Sequence, residues 1–279
     1  MKTILVPTAA HDLMDSVLET ALLAARRFDA YVEGFAIRPL ITEYVPVDMV
    51  GGLTWTRDDI SDEQAIRQAQ DIFDRFMIAR GVPRFSGRDG GLGYDWLENA
   101  AAGDTFVSSH ARVFDVTVLG RPTSGHAEPS MATLEAVLFE SGRPILIAPP
   151  TMPTKLGETI AIAWNGSTET ARATAFAMPF LKQADRVVII TVEGGPSHQG
   201  PAGEQLARNL RLNGVAAEAT TVKAERRSTG ETLLKVSASM GVDLLIKGAY
   251  TQSRLRQMIF GGTTSHILAE ATLPVFMAH

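Results

Sequence analysis

The sequence predicts an α/β protein made of two doubly wound parallel sheets in tandem, and three observations predict it. Short Val/Ile/Leu runs alternate with longer segments whose apolar residues recur three and four apart. The short runs are apolar throughout instead of alternating with polar residues, so each strand is expected to be buried on both faces, as in a parallel sheet covered by helices on either side. The pattern also occurs twice: Ile4-Leu5-Val6 answers Ile160-Ala161-Ile162, Asp29 to Ala36 answers Asp185 to Val192 in a constant register, Asp115-Val116-Thr117-Val118-Leu119-Gly120 answers Asp243-Leu244-Leu245-Ile246-Lys247-Gly248, and Pro144-Ile145-Leu146-Ile147-Ala148 answers Pro274-Val275-Phe276-Met277-Ala278.

The first strand, 3–7, is an apolar run halted by Pro7. A helix over 12–27 follows and ends in Arg26-Arg27, a basic pair suited to the negative end of a helix. A strand over 30–36 leads into 39–59, a long apolar segment bearing Trp55 and Met49 that reads as a flap over the crevice or part of an interface. A helix over 61–80 comes next. The third strand, near 84–93, is weak because Gly87, Gly90, Gly91 and Gly93 crowd it. A helix over 96–110, a strand over 115–119, a helix over 130–141 and a strand over 144–148 complete the first copy. The second copy reads as strands 159–164, 186–192, 216–222, 243–247 and 274–278 between helices 167–182, 202–213, 229–240 and 262–270. Pro149, Pro150 and Pro153 mark a stiff linker, so the expected domains are 1–150 and 156–279. The apolar strands at 145–148 and 275–278 need cover, and pairing of the two copies within the chain is expected to supply it.

Composition bounds the function. Net charge is −5, which gives no broad basic surface for nucleic acid or acidic lipid. The absence of cysteine removes disulfides, thiolate metal sites and a catalytic thiol. The six histidines lack ligand spacing, and neither a nucleophile elbow nor a Gly-Lys-Ser/Thr phosphate loop is present, so no catalytic residue is assigned. The start lacks the pattern of a signal peptide, and a cytoplasmic location without membrane contact is expected.

The most informative stretch opens at Gly248 and runs through Tyr250 and Thr251 to Gly261, Gly262, Thr263 and Thr264, where the last helix should begin. A strand that breaks at a glycine, with a second glycine pair and hydroxyls at a helix start, aims backbone N–H groups at an anion. The spacing is Gly, two residues, a small residue, nine residues, Gly and then hydroxyls. With the Asp243-Leu244-Leu245-Ile246 before it and the Pro274 strand after it, this segment resembles the nucleotide loop of the universal stress protein family. The resemblance implies a flavodoxin-like, adenine nucleotide alpha hydrolase-like fold, pairing through the last strands, and ATP held by an acidic residue after the first strand, by the glycine loop, and by a backbone group near Val192.

Two positions depart from that pattern. Asn165 stands at the acidic position; it keeps a carbonyl oxygen but loses the charge, and Asn165-Gly166-Ser167 also reads as a helix cap. Thr251 puts a Cβ where the family loop has its second glycine. Arg254 and Arg256 could neutralise phosphates or face solvent. In the first copy the acidic position is Ala9, and Met131 and Ala132 replace the glycine pair, leaving Gly120 and Thr133; an ATP site is not expected there. The reading is a tandem universal stress protein whose second copy keeps a weakened adenine nucleotide site as a regulatory input, with at most slow ATP hydrolysis and no metal assigned. The alternatives are a stress-linked interaction protein that binds protein partners without nucleotide and, ranked last, an adenylyl-transfer enzyme.

Overall fold

The computed structural model describes residues 1–38, 59–87, 90–122, 130–195, 200–224, 226–249 and 262–279. The 39–58 part of the expected flap lies outside them. The elements are β1 (Thr3–Thr8), α1 (Met14–Phe28), β2 (Tyr31–Ala36), α2 (Asp59–Ala79), β3 (Gly93–Trp96), α3 (Asp104–Ala111), β4 (Val116–Leu119), α4 (Met131–Glu140) and β5 (Ile145–Ile147). They continue as β6 (Thr159–Ala163), α5 (Thr168–Phe176), α6 (Met178–Leu181), β7 (Arg186–Glu193), α7 (Gly203–Leu212), β8 (Ala217–Lys223), α8 (Thr229–Ser239), β9 (Leu244–Gly248), α9 (Thr263–Glu270) and β10 (Val275–Ala278).

Among the described residues ten strands form one sheet in the order β3-β2-β1-β4-β5-β10-β9-β6-β7-β8. Every pairing is parallel except one: β5 and β10 run antiparallel, with Val275 opposite Ile147 and Met277 opposite Ile145. The two apolar final strands thus cover each other. In each copy the strand order reverses between the first and fourth strands, β1 and β4 or β6 and β9, which is where open α/β sheets form a ligand crevice.

Apolar residues on successive strand positions divide between two cores, one on each face. Ile4, Val6, Ile160, Ile162, Leu244, Ile246 and Phe276 join α1, α2, α5 and α7, whereas Leu5, Ala161, Leu245, Val275 and Met277 join α3, α4, α8 and α9. The double burial read from the unbroken apolar runs follows from this period of two. Asp115 and Asp243 hold corresponding strand starts: Asp115 accepts from the Thr3 amide at 3.1 Å, and Asp243 from the Gly157 amide at 2.6 Å and the Glu158 amide at 3.1 Å.

Three sequence expectations require correction. The third strand lies at Gly93–Trp96, with only an isolated bridge from Arg84 to Tyr94 before it; Tyr94 and Trp96 gain burial against Phe73, 5.8 and 5.4 Å away between ring centroids, which holds this end of the segment in the sheet, and the following helix therefore starts at Asp104. The helix expected over 167–182 is two helices, α5 and α6, because Pro179 stands at the start of α6 and has no amide proton to continue the ladder. The repeat is also not in constant register. Thr3 pairs with Tyr31 and Thr159 with Arg186, so the second strand of the second copy comes one residue early, after the broken α5–α6 connection instead of the continuous α1.

Candidate anion site at the carboxyl end of the second sheet half

Asn165 follows β6 and Gly248 ends β9, so the two flank the strand-order reversal of the second copy. The Asn165 side chain is turned into the start of α5. Its Oδ1 accepts from the Ser167 amide at 3.2 Å and from the Thr170 hydroxyl at 2.8 Å, while Ser167 caps the helix by accepting from the Thr170 amide at 3.2 Å. The side-chain oxygen is thus engaged by α5, and what Asn165 has left to present is its NH₂ group.

Gly248 is held tightly against that same helix. A Cβ at Gly248 would lie 2.4 Å from the Thr170 amide nitrogen and 2.6 Å from the Glu169 carbonyl carbon, so the glycine is required by the packing of β9 on α5. Val192 lies near the end of β7; its carbonyl accepts from the Gly195 amide at 3.3 Å and closes a turn. Tyr250, Thr251 and Gly261, like Arg254 and Arg256, lie outside the described residues.

The last helix supplies the rest. Gly262 sits at its N-cap with φ 125°, a left-handed value that glycine tolerates, and a Cβ there would meet nothing within 4 Å among the described residues. Among the described residues no side chain caps α9. Thr263 and Thr264 occupy the first two helical positions, so their amides belong to the set that no intrahelical carbonyl satisfies. The positive end of the helix dipole points the same way.

The structure adds a residue to which the sequence reading gave no role. Lys247, the penultimate residue of β9, is buried, 5% exposed. Its Nζ donates to the Thr264 hydroxyl at 2.7 Å and to the Gly248 carbonyl at 2.8 Å. Burial pushes its ammonium down from the ordinary 10.5 to about 7. The signal available in the sequence was the repeat itself, which aligns Lys247 with Leu119.

The corresponding place in the first copy is occupied by the protein's own groups. Ser130 caps α4 by accepting from the Thr133 amide at 3.0 Å, and the Thr133 hydroxyl donates to Asp104 at 2.7 Å. A carboxylate of the chain therefore sits at the start of α4. Beyond Gly120, the buried Arg121 donates to the Ala269 carbonyl at 2.8 Å and also to that of Ala271, gripping the end of α9. Among the described residues no cluster of His, Cys, Asp or Glu is placed to hold a metal ion, and no helix is long and apolar enough to cross a membrane.

These features define a doubly wound α/β protein with an uncapped helix start at the crevice of its second copy. The universal stress protein family model matches residues 158–279. Universal stress protein Slr1230 of Synechocystis sp. is 27% identical over 170 residues, which is 58% of this chain and 57% of that protein, so the match spans little more than half of the relative's length. The fold extends over the whole chain. A crystal structure of a universal stress protein from Archaeoglobus fulgidus superposes with a TM-score of 0.73 over 99% of this chain and 95% of that one, at 15% identity. A functionally unknown protein from Pseudomonas aeruginosa PAO1 does so with a TM-score of 0.56 over 100% and 92%, at 12% identity. The likeness to the universal stress protein family model is confined to residues 158–279, and what the whole chain shares with these solved structures is the fold.

Proposed function

We propose that the chain acts as a universal stress protein, that it takes up an adenine nucleotide, ATP, in the crevice of its second copy, and that occupancy acts as a regulatory input to a stress response. The observation that carries the reading is the start of α9: a helix N-terminus that no described side chain caps, with no described residue in the space at Gly262 and with hydroxyls at Thr263 and Thr264, beside the strand-order reversal. The division into units at 1–150 and 156–279 is part of the same proposal, with the first unit serving as a structural partner because Asp104 and Arg121 fill the places a ligand would use. A second reading, docking of a protein partner without nucleotide, draws support from one specific fact: the Asn165 oxygen is consumed by the helix cap.

Calorimetric titration of ATP separates the two. Asn165→Asp keeps one oxygen for the Ser167 amide and frees a second, charged one for ribose hydroxyls, so it is expected to tighten ATP binding by about tenfold. Binding of inorganic phosphate should not tighten. Absence of any ATP signal at millimolar concentration in both proteins would leave the docking reading alone.

A further inference from the structure

The two copies provide an internal control for Lys247. Counting back from Pro144 and from Pro274 aligns Leu134 with Thr264, and the shared Asp-to-Gly strand segment aligns Leu119 with Lys247. Leu119 and Leu134 are wholly buried in the same core. The fold therefore closes this place with two leucines in one copy and with a hydrogen-bonded ammonium and hydroxyl in the other. Burial of an ammonium costs several kcal/mol unless an opposite charge is near. Among the described residues none forms an ion pair with Lys247, and the nearest helix presents its positive end, which adds to the cost. Packing does not explain a lysine here, whereas an anion would.

We infer that Lys247 is a positioning residue for a phosphate group seated at the start of α9, and that it acts through the hydroxyl of Thr264. The inference rests on the anion-site reading of the second copy. An ammonium has donors and no acceptor, so the Thr264 oxygen must accept from it, and the hydroxyl proton is left to be given to the ligand. A neutral amine has a lone pair that can take that proton instead, which reverses the hydroxyl. The charged form of Lys247 is thus the one that prepares the site, and its charge adds to that of the helix start.

Uptake of a proton on binding follows. The free site holds a lysine brought to about 7 by burial alone; a phosphate beside it favours the charged form and raises it again. The titratable groups carried by the surrounding elements are Glu169 and Arg172 on α5, Glu231 and Lys235 on α8, His266 and Glu270 on α9, and His279 after β10. None contributes to the lowering of Lys247, whose cause is desolvation.

The test is calorimetric titration of inorganic phosphate, ATP and adenosine into the full chain and its Lys247→Met variant, in two buffers of different ionisation enthalpy, at about pH 6 and about pH 8. The leucine at the matching position shows that this fold accepts an apolar residue there; Lys247→Gln serves if the methionine variant fails to fold. Expected are a loss of about tenfold or more in affinity for phosphate and ATP at about pH 6, disappearance of proton uptake at about pH 8, and no change for adenosine. Unchanged affinity and unchanged proton uptake would overturn the inference while leaving the nucleotide reading standing. Phosphate binding that depends on Lys247, together with no gain from the adenosine part of ATP, would uphold the inference and remove the nucleotide reading. No binding of either phosphate compound to the wild type would overturn both.

Discussion

Lys247 carries a penalty that a stability measurement can read. Its ionisation is depressed in the folded chain and ordinary in the unfolded one, so between about 7 and 10.5 the unfolded state binds more protons. Stability from this group is therefore greatest above the ordinary lysine range and is lost as pH falls, fully so below about 7. Lys247→Met should stabilise the ligand-free protein by a few kcal/mol near pH 6, on the order of a buried ammonium's desolvation. The advantage should shrink steadily toward pH 10, within the range of ordinary lysine ionisation. Denaturant titration of both proteins across that range checks it, and a constant difference would mean that the ammonium is not desolvated as described. At this scale the sequence was only partly legible. A single lysine at the end of an apolar run reads as a strand end reaching solvent, and only its contact with Thr264, seventeen residues on, distinguishes it. Asn165 was legible as both cap and ligand; the hydrogen bonds to Ser167 and Thr170 show that the cap uses the oxygen.

Among the elements, β9 and α5 are joined more closely than any pattern in the sequence announces. Gly248 was read as the opening of a loop for phosphate, yet the Cβ it lacks would collide with the backbone of Glu169 and Thr170. Gly248→Ala is expected to destabilise the chain by about 1 to 3 kcal/mol, because backbone must move to admit the methyl group. Thermal or denaturant unfolding measures it, and a neutral result would show that the two elements can separate at no cost. Strands and helices were otherwise legible because their periods differ and their apolar runs are long. The exceptions are instructive: Gly87 to Gly93 obscured where β3 begins, since aromatic packing of Tyr94 and Trp96 on Phe73 decides it, and Pro179 divided a helix whose apolar spacing continued across it.

On the scale of the whole molecule, contacts that cross from one copy to the other reinforce the β5–β10 seam. Arg27 of α1 donates to the Leu156 carbonyl at 3.1 Å and the Gly157 carbonyl at 2.8 Å. Phe28 packs edge-on against Phe180, 4.7 Å between centroids, and Phe180, within the second copy, packs in turn on Phe276 of the seam strand at 6.0 Å. Arg121 holds the end of α9; burial pushes its guanidinium down and Glu270 acts the other way. Arg121→Ala leaves the Ala269 and Ala271 carbonyls without this donor, and a loss of about 1 to 3 kcal/mol is expected. Hydrogen exchange should report it first in α9, and unaltered protection there would show that the grip is not structural. The pairing of the strands at 145–147 and 275–278 was legible in the sequence, but Arg27 and Arg121 were not, since nothing local marks an arginine whose acceptors lie more than a hundred positions away. The antiparallel seam has one more consequence. It reverses strand direction between the copies, so the crevice beside Asn165 and the one beside Ala9 open toward opposite rims of the sheet. A binder lying along one rim therefore meets the carboxyl strand ends of one copy and not those of the other.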